Sequence, residues 1–464
     1  MDATGCTGRA QAAPCGGVPW CAAATMLLGI PGLAVTGVAQ DDDDWTAVDV
    51  VTGPDLQEEA RCCPGCGARA VKAKDTVTTT PRDIRLGDRQ LRLRWRKKRW
   101  ICGNPRCPRG TFTESLPAVR PRSRLTSRLR CRLGEAVGDE LMPAAAAARR
   151  YRVSDRTAAL AFTQYADDQL ADLGENQEPV EAAGIDEFRR GIPGPAAGDG
   201  QARSQWFTHL VDLGTGGTLG LAQERTGAAG KGLLKAHEST LRYLAMDLSA
   251  PYRSTVPAGV TVIADAFHLV KLANRKIDDA FRRLSYRTEH AHEDLGLPRP
   301  LHYMLRHNIE TLDPSHLATI IEVLDGDGDG QQIAAVWIAK EQLRALLALR
   351  ITKTHVSPAP SQVRDKLASF YLWCADHQHI PELKTLANTI GKWQQPVIDA
   401  VLTGYSNAKA EAHNRTAKMV ARTARGFANP HNQARRVRMA TTRAARLARR
   451  DRQRRRTRTV ARAP

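Results

Sequence analysis

Two close pairs of cysteines, Cys63-x2-Cys66 and Cys102-x4-Cys107, set the tightest limit on how this chain can fold. Each pair sits in a turn-forming context, CPGCG and CGNPRCPRG, and a basic, β-type run separates them. Two such knuckles facing each other bring four thiolates to one tetrahedral point, the zinc site of a zinc ribbon. Gly65 and Gly67 permit the tight turn that aims backbone N–H groups at sulfur. Cys62 competes as first ligand, although the two-residue spacing favours Cys63. Four sulfurs leave no open coordination position, so a single Zn2+ there is structural. The spacer carries Arg92, Arg94, Arg96, Lys97, Lys98 and Arg99 around Trp95 and Trp100. Basic residues interleaved with aromatics suit phosphate contact and base stacking, which makes Trp95 and Arg99 candidate DNA contacts.

Of ten cysteines, five lie between Cys62 and Cys107, too uneven for a disulfide framework and in keeping with a reducing cytoplasm. The 464 residues allow two or three domains. A net charge of +19 and a pI near 9.8 point to a polyanionic partner, and nucleic acid is the default. The positive charge concentrates between Arg82 and Arg132 and again after Arg415. The apolar stretch WCAAATMLLGIPGLAVTGV is broken by Gly29, Pro31 and Gly32, and the acidic run Asp41 to Asp44 follows it. It reads as a short buried strand or loop and not as a membrane span.

Along the chain, residues 1–55 read as a partly disordered lead-in, whose first two dozen positions are an extension or the product of an early start codon. Residues 56–118 form the zinc ribbon, and 119–174 are Ala/Arg-rich with helical spacing. In 180–300, AAGIDEF and GVTVIADAF read as strands, and SQWFTHLVDLGTGGTLGLAQERT as a hairpin. GLLKAHESTLRYLAMDL and HLVKLANRKIDDAFRRL read as helices. A Gly/Pro/Ala loop runs from Gly191 to Gly200. This is a mixed α/β pattern, which 403–434 completes after a helical insertion over 301–402. Residues 435–464 form an Arg-dense tail, expected to be disordered without nucleic acid.

MPAAAAARRYRVSDRTAALAFTQYA fits a helix, a turn at Val153 and a second helix N-capped by Ser154. In a helix-turn-helix the second helix offers its first turn to base edges, so Arg149, Arg150, Arg152, Ser154, Arg156 and Thr157 are candidate DNA contacts. Three acids sit in contexts that suit one phosphodiester site. Asp186 and Asp265 end apolar, strand-like runs, and Glu411 lies on a predicted helix. Carboxylates gathered from strand ends and a helix can hold two divalent metals. Glu187, next to Asp186, could serve in its place. His268 could orient the site, touch DNA, or cap its helix, while Asn407, Glu411 and Asn414 share one helical face. Other motifs fall short. DGDGDG places Asp325, Asp327 and Asp329 like the start of a calcium loop, but Val336 stands where the bidentate Glu belongs. GTGGTLG has no P-loop lysine. His290 and His292 lack further ligand spacing.

The order CPGCG, RWICGNPRCPRGTFTE, GIDEFRRG, ADAFHLVKLANRKID, SNAKAEAHN and ARGFAN resembles the L three group of bacterial insertion-sequence transposases, from about Cys63 to Arg438. The resemblance implies a multidomain α+β chain. It would hold a zinc ribbon, a helix-turn-helix, and an RNase H-like catalytic domain with a helical insertion and a basic tail. It implies Asp186, Asp265 and Glu411 as the catalytic acids holding two Mg2+ ions, Asn407 and Asn414 as supporting residues, and Gly426-Phe427 as the C-terminal Gly-Phe. The expected activity is cleavage at the terminal inverted repeats followed by strand transfer into target DNA. Pairing two ends requires a homodimer or larger synaptic complex, in the bacterial cytoplasm at the nucleoid. Arg189, Arg190, Lys271, Arg275, Arg415 and Lys418 are candidates to hold the DNA backbone. The rivals are a DNA-binding regulator that no longer cuts and a nuclease that cuts without joining.

Overall fold

A computed structural model describes residues 20–42, 44–175, 179–189, 206–248, 250–284, 295–427 and 429–460. Arg190, the 191–200 loop, His290 and His292 lie outside the described residues. The chain divides into two units, Met1–Asp172 and Leu173–Pro464.

The first unit opens with α1 (Ala22–Leu28), β1 (Leu33–Asp42), β2 (Trp45–Thr52) and the short α2 (Gln57–Ala60). It continues with β3 (Ala70–Thr79), β4 (Arg82–Leu86), β5 (Arg89–Cys102) and β6 (Thr111–Thr113). The six strands form one sheet around β5, which pairs parallel with β2 and antiparallel with β3, β4 and β6. Along β5 the side chains alternate. Leu91, Leu93 and Trp95 enter a core with Ile30, Leu33, Val35, Val48 and Val50, while the intervening arginines stay partly exposed. Two expectations change here. Residues 33–52 hold a hairpin integral to the sheet and not a lead-in, because Leu33–Asp42 pairs antiparallel with Trp45–Thr52. Trp95 is 0% exposed, so its ring fills the core and has no face free for a base.

Three helices follow: α3 (Ser127–Gly138), α4 (Ala144–Arg150) and α5 (Asp155–Glu175). Gly134 lets α3 approach α5 closely, since a Cβ there would lie 2.3 Å from Tyr165 Cβ. The α4–α5 connection is tight. Val153 N donates to Ala148 O at 2.9 Å, and Ser154 Oγ caps α5 by accepting from Thr157 N at 3.2 Å.

The second unit is built on β7 (Ala182–Arg189), β8 (Trp206–Asp212) and β9 (Thr218–Gln223), an antiparallel meander. After α6 (Gly227–Leu234) comes β10 (Tyr243–Met246), then α7 (Ala250–Arg253), β11 (Thr261–Ala264) and α8 (Ala266–Arg283). The order β11-β10-β7-β8-β9, with β7, β10 and β11 parallel, is an RNase H-like sheet. The expected helix over GLLKAHESTLRYLAMDL is thus corrected. It stops at Leu234, and Tyr243–Met246 is a strand between the two that carry Asp186 and Asp265.

The helical segment holds α9 (Leu301–Met304), α10 (Pro314–Asp325), α11 (Gly328–Ala348), α12 (Ile351–Thr354), α13 (Pro360–Asp376), α14 (Pro381–Lys392) and α15 (Gln394–Thr403). It shares one apolar core with the sheet, through Leu269, Ala273 and Ile277 of α8 and Val336, Leu343 and Leu386. The DGDGDG run has a local role: Asp327 caps α11 by accepting from Gly330 N at 2.5 Å. The chain closes with α16 (Ala408–Thr423), α17 (Pro430–Thr441) and α18 (Arg443–Val460). The tail expected to be disordered is therefore helical through Val460. Alanine and arginine are strong helix formers, and Arg446 is buried, donating to Met439 O at 2.7 Å.

Candidate functional site

The zinc ligand set is explicit. Cys63, Cys66, Cys102 and Cys107 offer sulfurs that all lie within 4.8 Å of one another. Cys63 Sγ is 3.9 Å from Cys107 Sγ, and Cys66 Sγ is 3.5 Å from Cys102 Sγ. Zinc–sulfur bonds of about 2.3 Å give a tetrahedron edge of about 3.8 Å, so the thiols fit a zinc ion. Cys62 instead reaches Glu58 O at 3.6 Å and stands outside the cluster. The Gly65 N–H, working against burial, holds the Cys63 thiol down to about 7. At Cys102 the Asn104 N–H lowers the pKa, but burial and the neighbouring thiols push it up to about 12. Four thiolates at this spacing need a cation to be ionised together. Trp100 and Phe112 pack around the sulfurs.

In the second unit, β7 carries Asp186, and the ends of β10 and β11 present Asp247 and Asp265. Asp265, His268 and Glu411 offer ligand atoms within 4.8 Å of one another. Asp186 is not in that closest set but is tied to the same helix: its Oδ2 accepts from Asn414 Nδ2 of α16 at 2.7 Å. Asn407, 0% exposed, holds the start of α16 in place. Its Nδ2 donates to Ile185 O at 3.1 Å and its backbone N to Asp265 Oδ1 at 3.3 Å. Gly184 makes room for it, because a Cβ there would fall 2.3 Å from Asn407 Oδ1. His268 Nδ1 lies 2.7 Å from Asp265 Oδ2, and that bond raises the His268 pKa against the cost of burial. Glu187 points elsewhere, accepting from Tyr252 Oη at 2.9 Å and pairing with Arg225. Successive strand residues face opposite ways, so Asp186 alone of the two meets α16.

Sequence reasoning missed Asp247. It ends the strand lying between those of Asp186 and Asp265, and its Oδ1 is buried without a hydrogen-bond partner. Burial, then the charge of Glu187, raises its pKa. Burial raises Glu411 as well, with Asp265 adding to the effect. Burial lifts Asp186 to about 6 despite the Glu187 N–H. Oxygen donors with an orphaned buried carboxylate oxygen and raised pKa values are the chemistry of a site for hard divalent cations. His209, opposite Asp186 on β8, is fully buried, and burial holds its pKa down to about 3.

The raised Asp186 sets a pH dependence for the metal-free protein. A carboxylate at about 6 when folded and 3.8 otherwise contributes stability that is complete below pH 3.8 and lost as pH rises through 6. The loss amounts to about 3 kcal/mol. A divalent cation should therefore raise the melting temperature of the second unit more at pH 7.5 than at pH 5, and Asp186→Asn should raise the metal-free value at pH 7.5. Equal responses to cation at both pH values would remove this account.

In the first unit, Arg149, Arg150, Arg152, Ser154 and Arg156 are exposed around the α4–α5 turn, and Thr157 is half-buried. Arg99 is engaged with Asp75, donating Nε to Oδ1 at 2.9 Å. Among the described residues no helix is long and apolar enough to cross a membrane.

Comparison with known proteins gives two family matches. Residues 59–107, which hold all four clustered cysteines, match the zinc-finger of transposase IS204/IS1001/IS1096/IS1165. Residues 196–437 match the DDE-type ISL3 transposase model. The second match begins after Asp186 and contains Asp247, Asp265 and Glu411. No curated protein matches the chain. Among solved structures, the Drosophila P element transposase strand transfer complex aligns at 10% identity over 68% of this chain and 91% of that one. Its TM-score is 0.37, a likeness that carries no argument about the site. With more than half its length in the DDE-type match and its cysteine ribbon in the other, the chain belongs to the ISL3 family of transposases.

Proposed function

We propose that the protein binds the terminal inverted repeats of an insertion sequence, cuts the phosphodiester at each end, and joins the freed 3′-OH to target DNA. The observation that carries this reading is the convergence of Asp265, His268 and Glu411, with Asp186 bound to the same helix through Asn414. In this reading Asp186, Asp265 and Glu411 hold two Mg2+ ions, with Asp247 as a fourth carboxylate in reach. When bound, the ions supply charge stabilisation to the attacking and leaving oxygens and activate water. Asn407 and Asn414 are positioning residues that fix α16 against β7. His268 orients Asp265 through the contact between its Nδ1 and the Asp265 Oδ2. One Zn2+ holds the ribbon, while the α4–α5 turn presents Arg149, Arg150, Arg152, Ser154, Arg156 and Thr157 to DNA, with Arg99 on β5. Lys271, Arg275, Arg415 and Lys418 flank the acids on α8 and α16 and are suited to the phosphate backbone. Two ends acted on together call for a dimer or larger assembly, working at the bacterial nucleoid.

The test is incubation of the full chain with DNA carrying the element's flanking ends, with and without Mg2+. Metal-dependent nicks at the ends and joined products are expected. Cutting without joining would make it a nuclease, and tight binding with no cut under any divalent cation would make it a DNA-binding regulator.

A further inference from the structure

In the first unit, the Thr78–Pro81 connection, the 122–125 loop and the turn leading into α5 enclose an open groove of about 800 Å3. Arg82, Arg92, Arg122, Arg124 and Arg152 line it, and no carboxylate does. Thr79 Oγ1 is buried beside it with no hydrogen-bond partner. Three of these arginines are held in place. Arg82 and Arg92 stack their guanidinium groups on the Trp45 ring, 5.1 and 4.6 Å from its centre, and Arg82 also donates to Arg152 O. Arg92 pairs with Asp41 at 3.3 Å, and Arg152 with Asp44. Asp41 lies near the end of β1, and Asp44 immediately precedes β2. Arg122 and Arg124 are exposed, with no ion pair among the described residues. Arg122 and Arg152 both adopt left-handed backbone, φ 58° and 50°, which is uncommon for residues with a side chain and recurs where function fixes the backbone.

We infer that this groove holds a sugar–phosphate backbone of duplex DNA, and that Asp41 and Asp44 compete with the phosphates for Arg92 and Arg152. The inference rests on reading the chain as a DNA-binding transposase and adds where one strand runs. Arginine forks pre-set on an indole face suit bidentate phosphate contact, and the Trp45 face is already covered by guanidinium, leaving no platform for a base. A row of arginines along an open groove matches a polymer of phosphates better than one compact anion. The carboxylates at Arg92 and Arg152 then act as internal stand-ins for phosphate, released when DNA enters.

The test uses the full chain and a fluorescent duplex bearing the element's end, with affinity measured over a salt series. Arg122→Asn with Arg124→Gln is the main variant, since asparagine tolerates the left-handed φ. Affinity should fall roughly 10- to 100-fold. The slope of log affinity against log salt should shrink by about 1.8, or 0.9 per phosphate lost. Asp41→Asn with Asp44→Asn should act oppositely, tightening binding and steepening the slope. Zinc content and melting temperature certify each variant, and Arg124→Gln alone serves if the double variant does not fold. A certified arginine variant with the wild-type slope, or an acid variant that binds no tighter, overturns the inference. So does displacement of DNA by inorganic phosphate beyond that by chloride at matched ionic strength, which would mark a small-anion site. A wild type that cuts ends while the arginine variant keeps its slope sinks the groove and spares the transposase reading. A wild type that never cuts while the slope falls does the reverse.

Discussion

Changing Asp186, Asp265 or Glu411 singly to its amide should leave binding to end-bearing DNA within a few fold of wild type and lower cleavage by on the order of 10^3-fold or more. The amide keeps the size of each side chain and its capacity to accept hydrogen bonds. Asn414 can still donate to residue 186, and the Asn407 N–H to residue 265. On the proposed function, what is lost is the negative charge that would hold a divalent cation where charge develops in the transition state, worth several kcal/mol. Asp247→Asn divides two roles for that residue. As a ligand it should match the loss at the other acids; as an electrostatic neighbour that tunes Asp186 it should cost tenfold or less and shift the pH profile of cleavage instead. Nicked product from each variant, measured in single turnover with saturating Mg2+, decides it. An Asp186, Asp265 or Glu411 variant that cuts at the wild-type rate would remove that residue from the site.

Loss of zinc should have the largest effect on stability. Cys63, Cys102 and Cys107 sit at the centre of a small core with Ala70, Trp100 and Phe112, too little apolar area to hold the ribbon by itself. Structural zinc sites supply about 10–16 kcal/mol of apparent binding free energy at neutral pH, which here is folding free energy for the ribbon. Chelation, or Cys107→Ser, should release one zinc per chain and shift Trp100 emission to the red. It should also strip hydrogen-exchange protection from β3, β6 and the Cys102 end of β5. Cys62→Ser should do none of this, since Cys62 lies outside the sulfur cluster. Retained zinc and protection in Cys107→Ser would overturn the four-cysteine assignment.

Much of the site was legible because its residues sit in locally distinctive surroundings. The cysteine pairs are bracketed by Pro and Gly, and Asp265 follows a Val-Ile-Ala strand and precedes an amphipathic helix. The misread helix has a plain cause: a short, largely buried strand lacks the alternation that marks a half-buried one. YLAM is four residues long and follows a run with helical spacing, so it merged with the helix and took Asp247 out of view. The β1–β2 hairpin was hidden because the partners of Asp41 and Asp44, Arg92 and Arg152, lie far along the chain. Trp95 and Trp100 look equivalent in sequence, yet one fills the sheet core and the other the zinc core. Only the register of β5 separates both rings from the more exposed arginines beside them on the strand.

The bond from Asn414 to Asp186 spans 228 positions of sequence, and the insertion folds between its two ends. During synthesis the three strand-borne acids leave the ribosome long before α16 does. A nascent chain can therefore complete its zinc ribbon while its carboxylate cluster is still unassembled. On the proposed function, scission would wait until nearly the whole polypeptide has been made, and a prematurely terminated copy that stops before α16 would bind transposon ends without breaking them.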